Sequence, residues 1–122
     1  MKQPILVIED DTTLNRLIVR QLEKAGYTPT GVARWSEAQS HLARHEPALI
    51  ITDVRLPDGD SRALLPRLVE AYPVIVLTAF GSVRNAVQAM KQGAADYLLK
   101  PIGLEELLLS VERALENSLL RQ

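Results

Sequence analysis

Apolar residues fall into two alternating rhythms along the chain. Short apolar runs stand at 4–8, 48–52, 73–77 and 95–99, with a weaker one at 27–32. The first three predict strands buried on both faces, the pattern of a parallel sheet. The segments between them have helical spacing. In 12–25, Leu14, Leu17, Ile18, Leu22 and Ala25 share a face, and Gly26 follows as a stop. In 36–44, Ser36 is the expected N-cap, and Ala38, Leu42 and Ala43 form a thin stripe. In 82–92, Ser82 caps, Val83, Ala86, Val87 and Met90 form a core-facing stripe, and Gly93 ends it. In 103–120, Leu104, Leu107, Leu108, Val111 and Leu115 line one face. A helix at about 60–70 must start late or kink, because Pro66 cannot donate to the preceding turn.

Strand and helix thus alternate five times. Right-handed crossovers then place helices on both faces of a doubly wound parallel sheet, an α/β fold of five βα units. The expected strand order is 2-1-3-4-5. Ligands of such sheets bind beyond the carboxyl ends of the strands, where the order reverses.

Composition narrows the class. The 122 residues suffice for one domain with a real core. That core must be aliphatic, since only one Trp, three Tyr and one Phe are present. A net charge of −1, with no basic stripe, argues against direct nucleic-acid binding by this segment. The chain has no Cys, which excludes disulfides, thiol catalysis and Cys-based zinc sites. The first apolar run is too short for a signal peptide and none spans a bilayer, so a soluble, cytoplasmic domain is expected.

The chemistry collects at the expected carboxyl ends. The first strand runs into Glu9, Asp10 and Asp11; the third ends at Asp53, the fourth at Thr78 and the fifth at Lys100. If the first and third strands are neighbours, at least three carboxylates converge. At an effective dielectric near 20, two unit charges about 4 Å apart repel by roughly 4 kcal/mol. The cluster therefore needs a cation or a proton. Hard oxygen donors suit Mg²⁺. Metal, ammonium and hydroxyl around a carboxylate suit phosphoryl transfer to that carboxylate. Taken singly, each residue has a plainer role. Asp10, Asp11 or Asp53 can cap a helix, Thr78 can sit at a turn, Tyr97 can pack, and Lys100 can be an exposed loop charge. Asp11 is assigned to the start of the first helix, with Thr12 as the competing cap.

The stretches "ED", "TDVRLP", "LTAFGS" and "DYLLKP", in this order, resemble the response-regulator receiver domain of two-component signalling, whose sheet is flavodoxin-like. The resemblance covers the whole chain. It implies that Asp53 accepts a phosphoryl group from a sensor kinase's phosphohistidine. It implies Mg²⁺ on Asp10, Asp53 and the Arg55 backbone carbonyl, with Glu9 acting through water. Thr78 and Lys100 would contact the phosphoryl oxygens, Tyr97 would be the aromatic switch, and Lys100–Pro101 would be cis. Arg55 and Phe80 would flank the pocket and control access of water, the bulk of Phe80 slowing hydrolysis. "PDGDS" departs from the family pattern, with Ser61 where glycine is common.

"LTAFGSVRNAVQAMKQGAADYLLKP" resembles receivers of sigma-54-dependent transcription activators. This implies a receiver over 1–117 and, at 118–122, the start of a linker helix to an output domain. A homodimer through the fourth and fifth helices is implied, with DNA and RNA polymerase met only through other domains, and no membrane contact. Two rivals are weighed. A Mg²⁺-dependent aspartyl-phosphate hydrolase wants an acid where Arg55 stands. A flavin-binding domain wants a phosphate cradle where the first loop is acidic. His41 and His45 have a metal-compatible spacing but no evident third ligand, and are read as solvated surface. Trp35 is expected to cover the sheet edge.

Overall fold

The computed structural model describes residues 3–53, 55–60, 64–78 and 83–120. Among them, β1 (Pro4–Ile8), β2 (Thr28–Val32), β3 (Leu49–Asp53), β6 (Val74–Thr78) and β7 (Asp96–Leu99) form one sheet in the order β2-β1-β3-β6-β7. Counting these strands alone, that is the 2-1-3-4-5 order of a flavodoxin-like fold. All four pairings are parallel. The helices are α1 (Thr12–Lys24), α2 (Trp35–Leu42), α3 (Leu65–Ala71), α4 (Val83–Lys91) and α5 (Leu104–Leu120). A short antiparallel ribbon, β4 (Arg55–Leu56) with β5 (Gly59–Asp60), follows β3.

The unbroken apolar strands feed two cores. Ile5 and Val7 point to one face of the sheet, where Ile51, Ile75 and Leu77 meet Ile18 and Leu22 of α1 and Leu107, Val111 and Leu115 of α5. Leu6 and Ile8 point to the other, where Ile50, Val74 and Val76 meet Ala38 of α2 and Leu65 and Leu68 of α3. The two-residue period of a strand makes this division unavoidable once both faces are covered. Each such side chain contributes roughly 1.5–3 kcal/mol by leaving water.

Local signals set most helix ends. The Asp11 carboxylate accepts from Leu14 N at 3.1 Å and is the N-cap of α1. At the other end Gly26 has φ 96°. Tyr27 N donates to Leu22 O at 3.0 Å and Gly26 N to Glu23 O at 3.1 Å, the paired bonds of a Schellman stop. In α3, Pro66 is the second residue, where a missing N–H costs nothing; the helix starts late, and Asp60, at the start of the expected helix, belongs to β5.

Three expectations need correction. Ser36 is not the N-cap of α2: the helix starts at Trp35, and Arg34 stands at the cap position without a side-chain bond. The first two amides are satisfied from elsewhere in the chain, so no local cap is required. Met90 is not core but 42% exposed, and Val87 is 45% exposed. Helix α4 packs beside β7, the last strand of the sheet, so part of its stripe overhangs the edge. Leu17 is also exposed; Ile18, one residue round the helix, takes the inward position. Trp35 is partly buried against the second core. Ser61, Phe80 and Ser82 lie outside the described residues. No helix among the described residues is long and apolar enough to cross a membrane.

Candidate functional site

Parallel pairing brings the strand ends into line. Ile8 pairs with Thr52 and Asp53 with Leu77, so the residues after β1 and the last residue of β3 emerge side by side. Glu9 extends the β1–β2 ladder by one bond, Glu9 N to Val32 O at 3.0 Å. Lys100 N donates to Thr78 O at 2.8 Å, which fixes the base of the lysine beside the end of β6. The Lys100–Pro101 peptide is cis.

Glu9, Asp10 and Asp53 each offer a carboxylate oxygen within 4.8 Å of the others'. Among the described residues they are the acidic or histidine cluster with metal-ligand spacing. Glu9 and Asp53 are buried, at 1% and 8% exposure, and Asp10 is exposed. The Lys100 Nζ stands 2.7 Å from Glu9 Oε1 and 2.8 Å from Asp53 Oδ2. The Asp53 contact is a hydrogen bond; the Glu9 contact is a close ion pair that is not aligned as one. Glu9 Oε2 accepts from Asp11 N at 3.0 Å.

Burial pushes the Glu9 carboxyl up to about 7, against the pull of Lys100 and the Asp11 amide and with help from the Asp53 charge. Burial tends to lower the Lys100 ammonium, but Asp53 and Glu9 outweigh it and hold Lys100 above its ordinary value. The two shifts are reconciled if Asp53 is the main counter-ion of Lys100, while Glu9 is an acid poised near neutrality. Thr78 is buried at the rim. Tyr97 lies on β7 and is 36% exposed. Structure therefore gathers Glu9, Asp10, Asp53 and Lys100 into one cup, with Thr78 at the adjoining strand end and Tyr97 outside it. Of Arg55, the backbone is described, in β4 directly after the cup. The His41 and His45 rings stack with centroids 4.7 Å apart, and no third ligand joins them among the described residues.

Three sets of contacts escaped sequence reasoning, the first two of them at this edge. Asn15 Nδ2 donates to Glu9 O at 2.9 Å and to Val32 O at 3.0 Å, clamping the ends of β1 and β2. Gly31 leaves room for it: a Cβ there would collide with Asn15 Oδ1. A glycine inside a strand does signal a close approach, so this pair was detectable. Asp58 accepts from the amides of Trp35 and Ser36, a pairing over 22 residues or more that has no local signature. Asp96, next to Tyr97, accepts from Ser110 Oγ of α5 at 2.6 Å.

A doubly wound sheet with an acidic cup and a lysine at its carboxyl edge is the arrangement expected of a receiver domain, and sequence comparison supplies the class. The family model of the response regulator receiver domain matches residues 5–112, and the chain belongs to that family. It is 35% identical over 116 residues to the DNA-binding transcriptional regulator NtrC of Salmonella typhimurium, covering 93% of this chain and 25% of the relative. To the response regulator protein FleR of Pseudomonas aeruginosa it is 39% identical over 116 residues, covering 93% of this chain and 24% of the relative. The chain thus spans about a quarter of these relatives. Among solved structures, the signal receiver domain of a putative Luxo repressor protein from Vibrio parahaemolyticus superposes with TM-score 0.90 at 32% identity, covering 99% of this chain and 95% of that one. NtrX from Brucella abortus, in complex with ADP, gives 0.93 at 29%, covering 99% of this chain and 29% of that one. The chain is therefore a receiver, a regulatory module of two-component response regulators rather than a catalytic enzyme domain.

Proposed function

We propose that this receiver is switched by phosphorylation of Asp53. The observation that carries the reading is the position of Lys100 Nζ, within 2.8 Å of both Glu9 and Asp53. A buried carboxylate beside a fixed ammonium and a second acid suits a nucleophile toward a phosphoryl group. An Asp53 oxygen attacks phosphorus of the kinase's phosphohistidine; the P–N bond breaks as the aspartyl O–P bond forms, and the electron pair returns to the imidazole. Loss of the group is the reverse economy with water: water attacks phosphorus, the O–P bond breaks, and inorganic phosphate leaves.

The donor set fits a hard divalent cation, being oxygen-only, anionic and open to solvent at Asp10. Asp10, Asp53 and the Arg55 carbonyl would hold Mg²⁺, with Glu9 acting through water. Bound there, Mg²⁺ supplies neutralisation of charge on the transferring oxygens. Lys100 and Thr78 contact those oxygens. With a phosphoryl group on Asp53, Thr78 is drawn toward it and Tyr97 turns inward, reshaping the α4–β7–α5 face. That face already exposes Val87, Met90, Tyr97, Leu99 and Leu109, and a cleft of about 590 Å³ opens between β7 and α5. We assign to it a homodimer contact. The reading carries a cytoplasmic location for this protein, a cognate sensor histidine kinase as partner and residues 118–122 as the start of a linker. The output is a sigma-54-type transcription activator whose other domains meet DNA and RNA polymerase.

The test is incubation with Mg²⁺ and an acyl phosphate, followed by intact-mass and peptide analysis. An acid-stable, base-labile phosphoryl on Asp53, absent from Asp53→Asn, is the expected result. Modification at another residue, or none, refutes the reading.

A further inference from the structure

The Asp58 carboxylate does two jobs from one turn. Its Oδ1 accepts from Trp35 N and its Oδ2 from Ser36 N, both at 2.8 Å. These are the first two amides of α2, whose cap residue Arg34 offers no side-chain acceptor. Asp58 is thus the N-cap of a helix more than 20 residues upstream, and its charge also meets the positive end of that helix. The Ser36 amide, ahead of Trp35, holds its carboxyl below the usual range, so the cap is ionised at neutral pH.

The turn that carries Asp58 is tied to the acidic cup. Strand β4 begins two residues after Asp53, and Arg55 pairs with Asp60 and Leu56 with Gly59, leaving Pro57 and Asp58 at the tip. A ribbon of two residues a side is too small to hold its own place. Its tip is held by the bonds of Asp58 to α2, and α2 is held by Trp35, Ala38 and Leu42 against the second core. Along the chain, Arg55 stands between Asp53 of the cup and this anchor.

Resting on the reading of Asp53 as a metal-assisted acceptor, we propose that Asp58 is a positioning residue for that site. Its grip on the first turn of α2 sets where the Arg55 carbonyl stands, and so links occupancy of the cup to the start of α2. Linkage is reciprocal: if the cap favours the occupied cup, occupancy strengthens the cap by the same factor.

The test is a Mg²⁺ titration of the domain, followed by amide resonances and by the fluorescence of Trp35, the one tryptophan. Wild type, Asp58→Ala and Asp58→Asn are compared well below their melting temperatures. In wild type, the Trp35 and Ser36 amides are expected to shift together with that of Asp10, with a common Kd. Asp58→Ala is expected to weaken Mg²⁺ binding about three- to tenfold, for the loss of two charge-assisted bonds, and to silence the Trp35 and Ser36 response. Asp58→Asn, keeping one acceptor, falls between. Asp58→Ala with a lower Tm but wild-type affinity would reduce Asp58 to a structural cap and overturn the proposal. So would wild-type Trp35 and Ser36 amides that ignore Mg²⁺. A wild type that binds no Mg²⁺ at all overturns the reading of the cup, and the coupling with it.

Discussion

The acid poised inside the cup makes a stability measurement diagnostic of the site. Glu9 is buried, and its carboxyl moves from 4.5 to about 7 on folding. At about 1.36 kcal/mol per pKa unit, that shift disfavours the ionised folded state on the order of 3 kcal/mol. The sign is opposite to that of an ordinary salt-bridged acid. Between about pH 4.5 and 7 the native state holds a proton that the unfolded chain has lost. Stability should therefore fall as pH rises through this window and level off above it. Lys100, held above its ordinary value, stays protonated in both states across the same window and contributes no slope there.

The perturbation is Glu9→Gln, which keeps the shape and removes the titration. Unfolding by urea in the presence of EDTA, at several pH values from 5 to 8, reads the difference. The variant should gain on wild type by about 3 kcal/mol across the series, a midpoint shift of about 1–3 M for slopes of about 1–3 kcal/mol/M. Parallel pH profiles, or a gap that widens toward low pH, would show that burial does not dominate at Glu9. The electrostatic account of the cup would then be wrong.

Other outcomes follow from named contacts. Asn15→Ala should lose about 1 kcal/mol for each of its two bonds to Glu9 O and Val32 O, read by urea unfolding. Gly31→Ala should cost about 1–3 kcal/mol by overpacking against Asn15 Oδ1, and most of that cost should vanish in the Asn15→Ala background. Lys100→Met should destabilise the metal-free domain by about 3 kcal/mol at pH 8, the low end for a broken buried pair because Lys100 is partly exposed; unchanged urea stability would show that the pair contributes nothing net. Asp53→Asn should lower the Glu9 pKa by removing a neighbouring negative charge, seen as a downward move of the Glu9 side-chain NMR titration.

Sequence pattern exposed the parts of this molecule that obey local rules. Strands buried on both faces need unbroken apolar runs, so Ile5 to Ile8 and Leu49 to Ile51 announced themselves. Gly26 and Asp11 mark the ends of α1 because caps are made by neighbours within three or four residues. The order of the strands then brought Asp53 beside Glu9 without any further assumption. What failed was non-local or marginal. The start of α2 is set by Asp58, so the nearer Ser36 looked like the cap. Met90 has helical spacing, but spacing does not tell whether a helix lies over the middle of a sheet or beside its last strand. The β4–β5 ribbon has two residues per strand, below the length at which any period can be read.

The Asn15 and Asp58 contacts that pattern missed share one feature: they sit at the carboxyl edge, where the sheet's own bonding runs out. A parallel ladder pairs backbone groups only as far as both strands extend, and Glu9 and Asp10 of the cup lie beyond the end of β1. Asn15 takes Glu9 O, and it shares Val32 O with the ladder's last bond, from Glu9 N. Of the first amides of α2, Asp58 takes two. Lys100 does with charge what these side chains do with hydrogen bonds, since it stands between carboxylates that would otherwise repel. The carboxyl edge is thus held by side chains, each worth about 1–3 kcal/mol, where the interior is held by two cores. A change of charge on Asp53 acts on that edge first, because only there are the opposing terms comparable to the perturbation.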